Sequence, residues 1–152
     1  MIEAWRIVKA EYADDAFSGE GAVRFAGRWH SAGTRIVYTA ESLALATLEI
    51  LVRMRHTEIP EFVLIPCYFG EELVQDLDVT QLPENWSDPV APIALRRFGD
   101  RWARQHGSPV LKVPSAVTLV EFNYLLNPEH RDFDAVDIGE PQPFKLDYRL
   151  IT

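Results

Sequence analysis

Apolar and polar positions along the chain predict more strands than helices. Ala4 to Lys9 sets Trp5, Ile7 and Lys9 on one face and reads as a strand. Arg35 to Thr39 (RIVYT) is β-branched and aromatic, a second strand. Between them Ser18 to Gly33 carries glycines at 19, 21, 27 and 33, which predicts a long irregular loop of the kind that holds binding residues. Glu41 or Ser42 can cap a helix expected from Leu43 to about His56. At about 100° per residue its apolar centre falls on Ala44, Thr47, Leu48, Leu51 and Met54. Glu49 lies nearly opposite that centre, beside Arg53 and His56.

The continuous apolar run Phe62 to Phe69 reads as a buried strand broken at Pro66. Leu73 to Leu77 is a short strand before a loop containing Pro83, Pro89 and Pro92. A helix is expected from near Pro92, with Ala94, Phe98 and Trp102 spaced by four, stopping at Gly107. Val110 to Val113 is a further strand, ending in Pro114-Ser115. Leu119 to Leu126 precedes the turn signal Asn127-Pro128, and Ala135 to Ile138 and Phe144 to Leu150 are the last two strand candidates. No repeat is present, and the βαβα alternation of a doubly wound sheet is missing. The expected class is α+β, with mixed, mostly antiparallel sheets and few helices.

A chain of 152 residues fits a single domain spanning 1–152. Its one cysteine, Cys67, has no internal partner, and its apolar neighbours mark it as a buried thiol rather than a nucleophile. The net charge of −8 argues against nucleic acid as the main partner, since duplex binding needs a basic face. Basic residues still gather locally, at Arg24, Arg28 and Arg35 and at Arg96, Arg97, Arg101 and Arg104. The second group reads as a solvated helix face. The first leaves room for a small anion bound by local contacts. No apolar run approaches the ~20 residues of a membrane span, and the N-terminus has no apolar leader segment, so the expected setting is cytoplasmic.

Dinucleotide and phosphate-loop glycine motifs are missing, as is H-E-x-x-H, and the four histidines (30, 56, 106 and 130) lack metal-ligand spacing. No metal is expected. The notable cluster is Gly27-Arg28-Trp29-His30, followed by Tyr38 at a strand end and Glu49 in a helix. Each has two readings. Arg28 is a surface residue or a bidentate grip on phosphate. Tyr38 is core or a stacking face for a planar ring. Glu49 pairs with Arg53 one turn on, or serves chemistry. Ser115 is a turn hydroxyl or a site residue.

The ordered motifs G-R-W-H-x-x-G-T-R-I-V-Y-T-A-E-S-x-A-L-A-x-L-E (27–49), V-P-S-A-V (113–117) and E-x-N-Y-L-L-N-P-x-H (121–130) resemble the RES-domain family, over nearly the whole chain. These are the toxin halves of RES–Xre toxin–antitoxin pairs, named for an Arg, a Glu and a Ser. The resemblance implies a fold similar to ADP-ribosyltransferase toxins and cleavage of the nicotinamide–ribose bond of NAD, as substrate and not as resident cofactor. Some members use inorganic phosphate as acceptor, and others are linked to protein ADP-ribosylation. It places Arg28, Tyr38, Glu49 and Ser115 at the catalytic site. Arg28 would meet the pyrophosphate, Tyr38 the nicotinamide, and Ser115 the ribose or an acceptor, with Asn123 lining the same pocket. It also implies an Xre-type antitoxin as partner and a homodimer within that complex. A catalytically inactive antitoxin-binding module is the reading from outside enzymology.

Overall fold

The computed structural model describes residues 1–55 and 59–151. Among them eight strands form one sheet: β1 (Ile2–Lys9), β2 (Val37–Ala40), β3 (Phe62–Phe69), β4 (Val74–Asp76), β5 (Val110–Pro114), β6 (Phe122–Leu126), β7 (Asp137–Ile138) and β8 (Gln142–Phe144). Their order is β4-β5-β6-β2-β1-β3-β7, with β8 also on β3. Every pair is antiparallel except β4 with β5. The helices are α1 (Glu20–Arg24), α2 (Leu43–Leu51) and α3 (Arg96–Arg104). The expected α+β class, with a mostly antiparallel sheet and few helices, is what the chain adopts.

Several boundaries differ from expectation, each for a local reason. β3 runs unbroken through Pro66. The Pro66 carbonyl accepts from Gly139 N at 2.8 Å, so the proline's missing N–H faces the same side, in the gap between the stretches paired to β8 and β7. The glycine-punctuated loop contains α1, which begins after Gly19 in a left-handed conformation (φ 79°) that a side chain would strain. The run from Leu119 becomes strand only at Phe122, because Leu119 itself has φ 69° and closes the turn leaving Ser115. The last two strand candidates shrink to Asp137–Ile138 and Gln142–Phe144, and Tyr148–Leu150 is a 3-10 turn capped by Asp147. α2 stops at Leu51, and its expected end at His56 lies outside the described residues.

α3 is preceded by a 3-10 turn at Ile93–Leu95, as its proline start allows. Its inner face is Gly99, Trp102 and Ala103, continued by Leu95 of the turn; Phe98 is half-buried and Ala94 exposed, so only part of the expected i+4 stripe is core. This face pins the long loop. Gly99 lies directly against the Trp29 carbonyl, where any Cβ would overlap the oxygen. Asp100 accepts from Ser31 N (2.9 Å), Ser31 Oγ (2.7 Å) and Thr34 Oγ1 (2.8 Å). Burial alone would raise this carboxyl, but those three donors outweigh it and hold Asp100 below its ordinary range. A glycine-rich segment thus acquires a fixed shape from one helix. Arg97, Arg101 and Arg104 lie on the exposed face, as expected of a solvated surface. Cys67 is fully buried and its thiol is pushed up to about 12 by burial, which leaves it inert.

Candidate active site

Strand alternation creates one wall of the site. Tyr38 and Ala40 point from β2 to the same side of the sheet, and Ala40 pairs with Asn123 of β6, so Asn123 joins them. Tyr38, Ala40 and Asn123 line a cleft of about 780 Å³. α2 forms the second wall, with Ala46, Glu49 and Ile50, and Arg53 follows just past its end. The loop around Gly27-Arg28 closes one end, and Ser87, Pro89 and Ala91 cover another.

Glu49 reaches the cleft by a route opposite to the one expected. Leu45 and Ala46 are the buried residues of α2, whereas Ala44 and Leu48, assigned to its apolar centre, are exposed. Glu49 follows Leu45 by one turn and Ala46 by three residues, so it lies on the inward face. The helix reads LALATLEIL, apolar around nearly its whole circumference, so the wheel holds little information about which side packs. Ser42 caps it, accepting from Leu45 N at 3.0 Å. Arg53 donates through Nε to the Glu49 main-chain carbonyl at 3.1 Å, leaving the carboxylate for another partner.

That partner is Ser115. It is fully buried and does not line the cleft; its hydroxyl donates to Glu49 Oε1 at 3.2 Å. The same oxygen accepts from Val117 N (3.1 Å) and Thr118 N (3.3 Å), which locks the turn after β5 and aims the hydroxyl proton at α2.

Arg28 projects from the loop and donates to the carbonyls of Trp86 (2.9 Å) and Pro89 (3.4 Å), tying segment 82–92 across the cleft. Two of its five donors are engaged, so others remain for a bound anion. Burial lowers its pKa and Glu49 partly restores it. The other arginines of the first basic group serve the scaffold: Arg35 pairs with Glu20 at 3.0 Å, and Arg24 approaches the same carboxylate at 3.9 Å.

Sequence reasoning missed Arg6, Arg53 and the role of His30. Arg6 lines the cleft from β1, donating to Ala16 O (2.7 Å) and Tyr38 O (3.0 Å). Burial, reinforced by Arg53, pushes it down to about 10. With Arg6, Arg28 and Arg53 against Glu49, the cleft is cationic in a chain of net charge −8. A charged side chain between the apolar Trp5 and Ile7 of β1 was the available signal for Arg6. Among the described residues no cluster of three or more His, Cys, Asp or Glu is disposed to hold a metal, and no helix is long and apolar enough to cross a membrane.

Comparison with known proteins gives this cleft a family. "Toxin Res" of Photorhabdus laumondii is 35% identical over 149 residues, covering 97% of this chain and 96% of that protein. "Prs ADP-ribosylating toxin" of a Sphingobium species is 32% identical over 154 residues, covering 97% of this chain and 95% of that one. In structure the chain is similar to one in the crystal structure of the M. tuberculosis MbcT-MbcA toxin-antitoxin complex. The TM-score is 0.77 at 18% identity, over 94% of this chain and 84% of that one, a likeness of fold alone. The RES domain model matches residues 3–147, and the chain belongs to the RES domain family.

Proposed function

We propose that this protein is the toxin of a toxin–antitoxin pair, acting in the cytoplasm by cleaving the nicotinamide–ribose bond of NAD. The observation that carries the reading is a single carboxylate, Glu49, held by a buried serine in the wall of a cleft that three arginines also line. Breaking the C1″–N bond builds positive charge on the ribose, as in glycoside hydrolysis, and a fixed carboxylate stabilises that charge as it develops. Nicotinamide departs neutral with the bonding electron pair. An acceptor oxygen then forms the new bond to C1″ and loses its proton to solvent.

In this reading Arg28 neutralises the pyrophosphate through its free donors, with Arg6 and Arg53 adding positive potential. The Tyr38 ring stacks on nicotinamide, and the Asn123 amide offers hydrogen bonds from the wall. Ser115 acts through Glu49, since its burial separates it from ribose. It is therefore a positioning residue in place of the ribose or acceptor contact that the resemblance suggests. No metal or resident cofactor enters.

A second reading keeps the cleft and changes the acceptor. The Sphingobium relative is named an ADP-ribosylating toxin, which supports mono-ADP-ribosyl transfer to a protein. The structural relative comes from a toxin-antitoxin complex, which supports an antitoxin partner here. An Xre-type antitoxin covering the cleft, and a toxin homodimer within that complex, extend the same reading. Incubation of the purified protein with NAD, with and without inorganic phosphate, separates the acceptors. Free ADP-ribose reports hydrolysis, its 1″-phosphate reports phosphorolysis, and a labelled protein reports transfer. Unchanged NAD would leave only the inactive antitoxin-binding module.

A further inference from the structure

We infer that His30 is a positioning residue that sets the Tyr38 ring in the cleft wall by accepting its phenolic proton. The inference rests on the NAD reading only for the role of the ring; the hydrogen-bond arrangement stands on geometry. His30 Nε2 lies between two main-chain acceptors, Phe25 O at 2.9 Å and Ala22 O at 3.2 Å. A carbonyl cannot donate, so the proton of the ring sits on Nε2. In the neutral ring Nδ1 is then a lone pair, and the Tyr38 hydroxyl 2.7 Å away donates to it. The phenolic oxygen in turn accepts from Trp29 N at 3.2 Å. The donations run one way, from Trp29 N–H to Tyr38 Oη, from the Tyr38 hydroxyl to His30 Nδ1, and from His30 Nε2–H to the main chain of α1 and its C-cap.

The packing leaves this arrangement no slack. His30 is 2% exposed. A Cβ on Gly27 would stand 2.8 Å from Tyr38 Oη and 2.9 Å from His30 Cε1, so the pair fills the space under the loop that carries Arg28. Tyr38 therefore cannot offer its hydroxyl proton to a ligand; what it presents to the cleft is a ring held at its far end. Removing the acceptor at Nδ1 frees that end to swing. A stacking ring contributes to ground state and transition state alike, so its loosening raises KM and leaves kcat nearly unchanged.

Two substitutions separate the roles of the ring nitrogens. His30→Asn keeps an acceptor near the Nδ1 position and loses the Nε2 donor; His30→Gln keeps a donor near Nε2 and loses the acceptor. Nicotinamide release from NAD is followed for both, alone and combined with Tyr38→Phe. The expected result is that His30→Gln raises KM about tenfold with kcat within about twofold, as loss of one hydrogen bond allows. His30→Asn should stay close to wild type, and His30→Gln should add nothing in the Tyr38→Phe background. A fall in kcat with unchanged KM, the mark of less folded enzyme, overturns the inference. Equal losses in the two histidine variants, or additivity with Tyr38→Phe, overturn it as well. The ¹⁵N resonances of the wild-type ring decide independently of activity: an Nε2–H tautomer with an accepting Nδ1 is expected, and an Nδ1–H tautomer contradicts it. If the wild type releases no nicotinamide, the NAD reading fails, and the tautomer still judges the relay.

Discussion

The Ser115 hydroxyl donates to Glu49 Oε1 at 3.2 Å, joining the turn after β5 to the inner face of α2 across 66 residues of sequence. Two main-chain N–H groups fix the serine oxygen from behind, so the carboxylate is oriented by a rigid element rather than by solvent. Ser115→Ala removes this donor and the acceptor for both N–H groups. The expected outcome is a loss of stability of about 1–2 kcal/mol, read by denaturant unfolding. NAD turnover should drop in kcat by roughly tenfold to a hundredfold, since the carboxylate is needed where charge develops. In the background of Glu49→Gln the serine substitution should cost little further activity, because the two act as a unit.

Arg28 bridges the Trp86 and Pro89 carbonyls while facing the cleft, so its shape matters beyond its charge. A lysine supplies one point donor and cannot span both. Arg28→Lys should raise the KM for NAD about tenfold and expose segment 82–92 to limited proteolysis, with Arg28→Ala worse on both counts. Equal protection of that segment in wild type and variant would contradict the bridging role.

Gly99 against the Trp29 carbonyl makes the loop's placement depend on one missing methyl. Gly99→Ala forces α3 and the loop apart, a backbone overlap that no rotamer relieves. Destabilisation of about 1–3 kcal/mol is expected, measured as a lowered thermal midpoint. NAD affinity should fall with it, because Arg28 sits in the loop and the Tyr38 hydroxyl is tied to the loop's Trp29 N and His30.

Acid should destabilise the protein in two stages. Burial lowers the His30 pKa from 6.5, so the unfolded chain takes up a proton that the folded chain resists. This contribution is fully present above pH 6.5 and is lost as pH falls from there toward the folded value. Asp100, depressed below 3.8, gives stability that is present above that pH and is lost as pH falls through its folded value. His30→Asn should flatten the first stage and leave the second, which denaturant midpoints across the acid range can check.

Much of this architecture was legible in the residues, and the failures share a cause. The β-branched RIVYT run, the Ser42 cap and the proline start before α3 are local signals, and each element formed where its own chemistry placed it. The face of α2 is decided by β1 and by Ser115, not by LALATLEIL itself, so Glu49 was placed at the surface when it belongs to the inner side. Arg6 is tied to the cleft by the distant carbonyls of Ala16 and Tyr38, and His30 gains its meaning from two carbonyls in α1 and its C-cap. Phe144 to Leu150 has strand composition but finds only a short stretch of β3 to pair with. Contacts between distant segments carry the information that periodicity lacks.

If Glu49 stabilises the charge that develops on ribose in this cleft, the most direct measurement is nicotinamide release from NAD by wild type and Glu49→Gln. The substitution keeps shape and a hydrogen-bonding oxygen for Ser115 while removing the negative charge, so both proteins should unfold at similar denaturant concentrations. Steady nicotinamide release by the wild type and a loss of at least about a hundredfold in kcat for the variant are expected. Release by a folded Glu49→Gln at the wild-type rate would contradict that role.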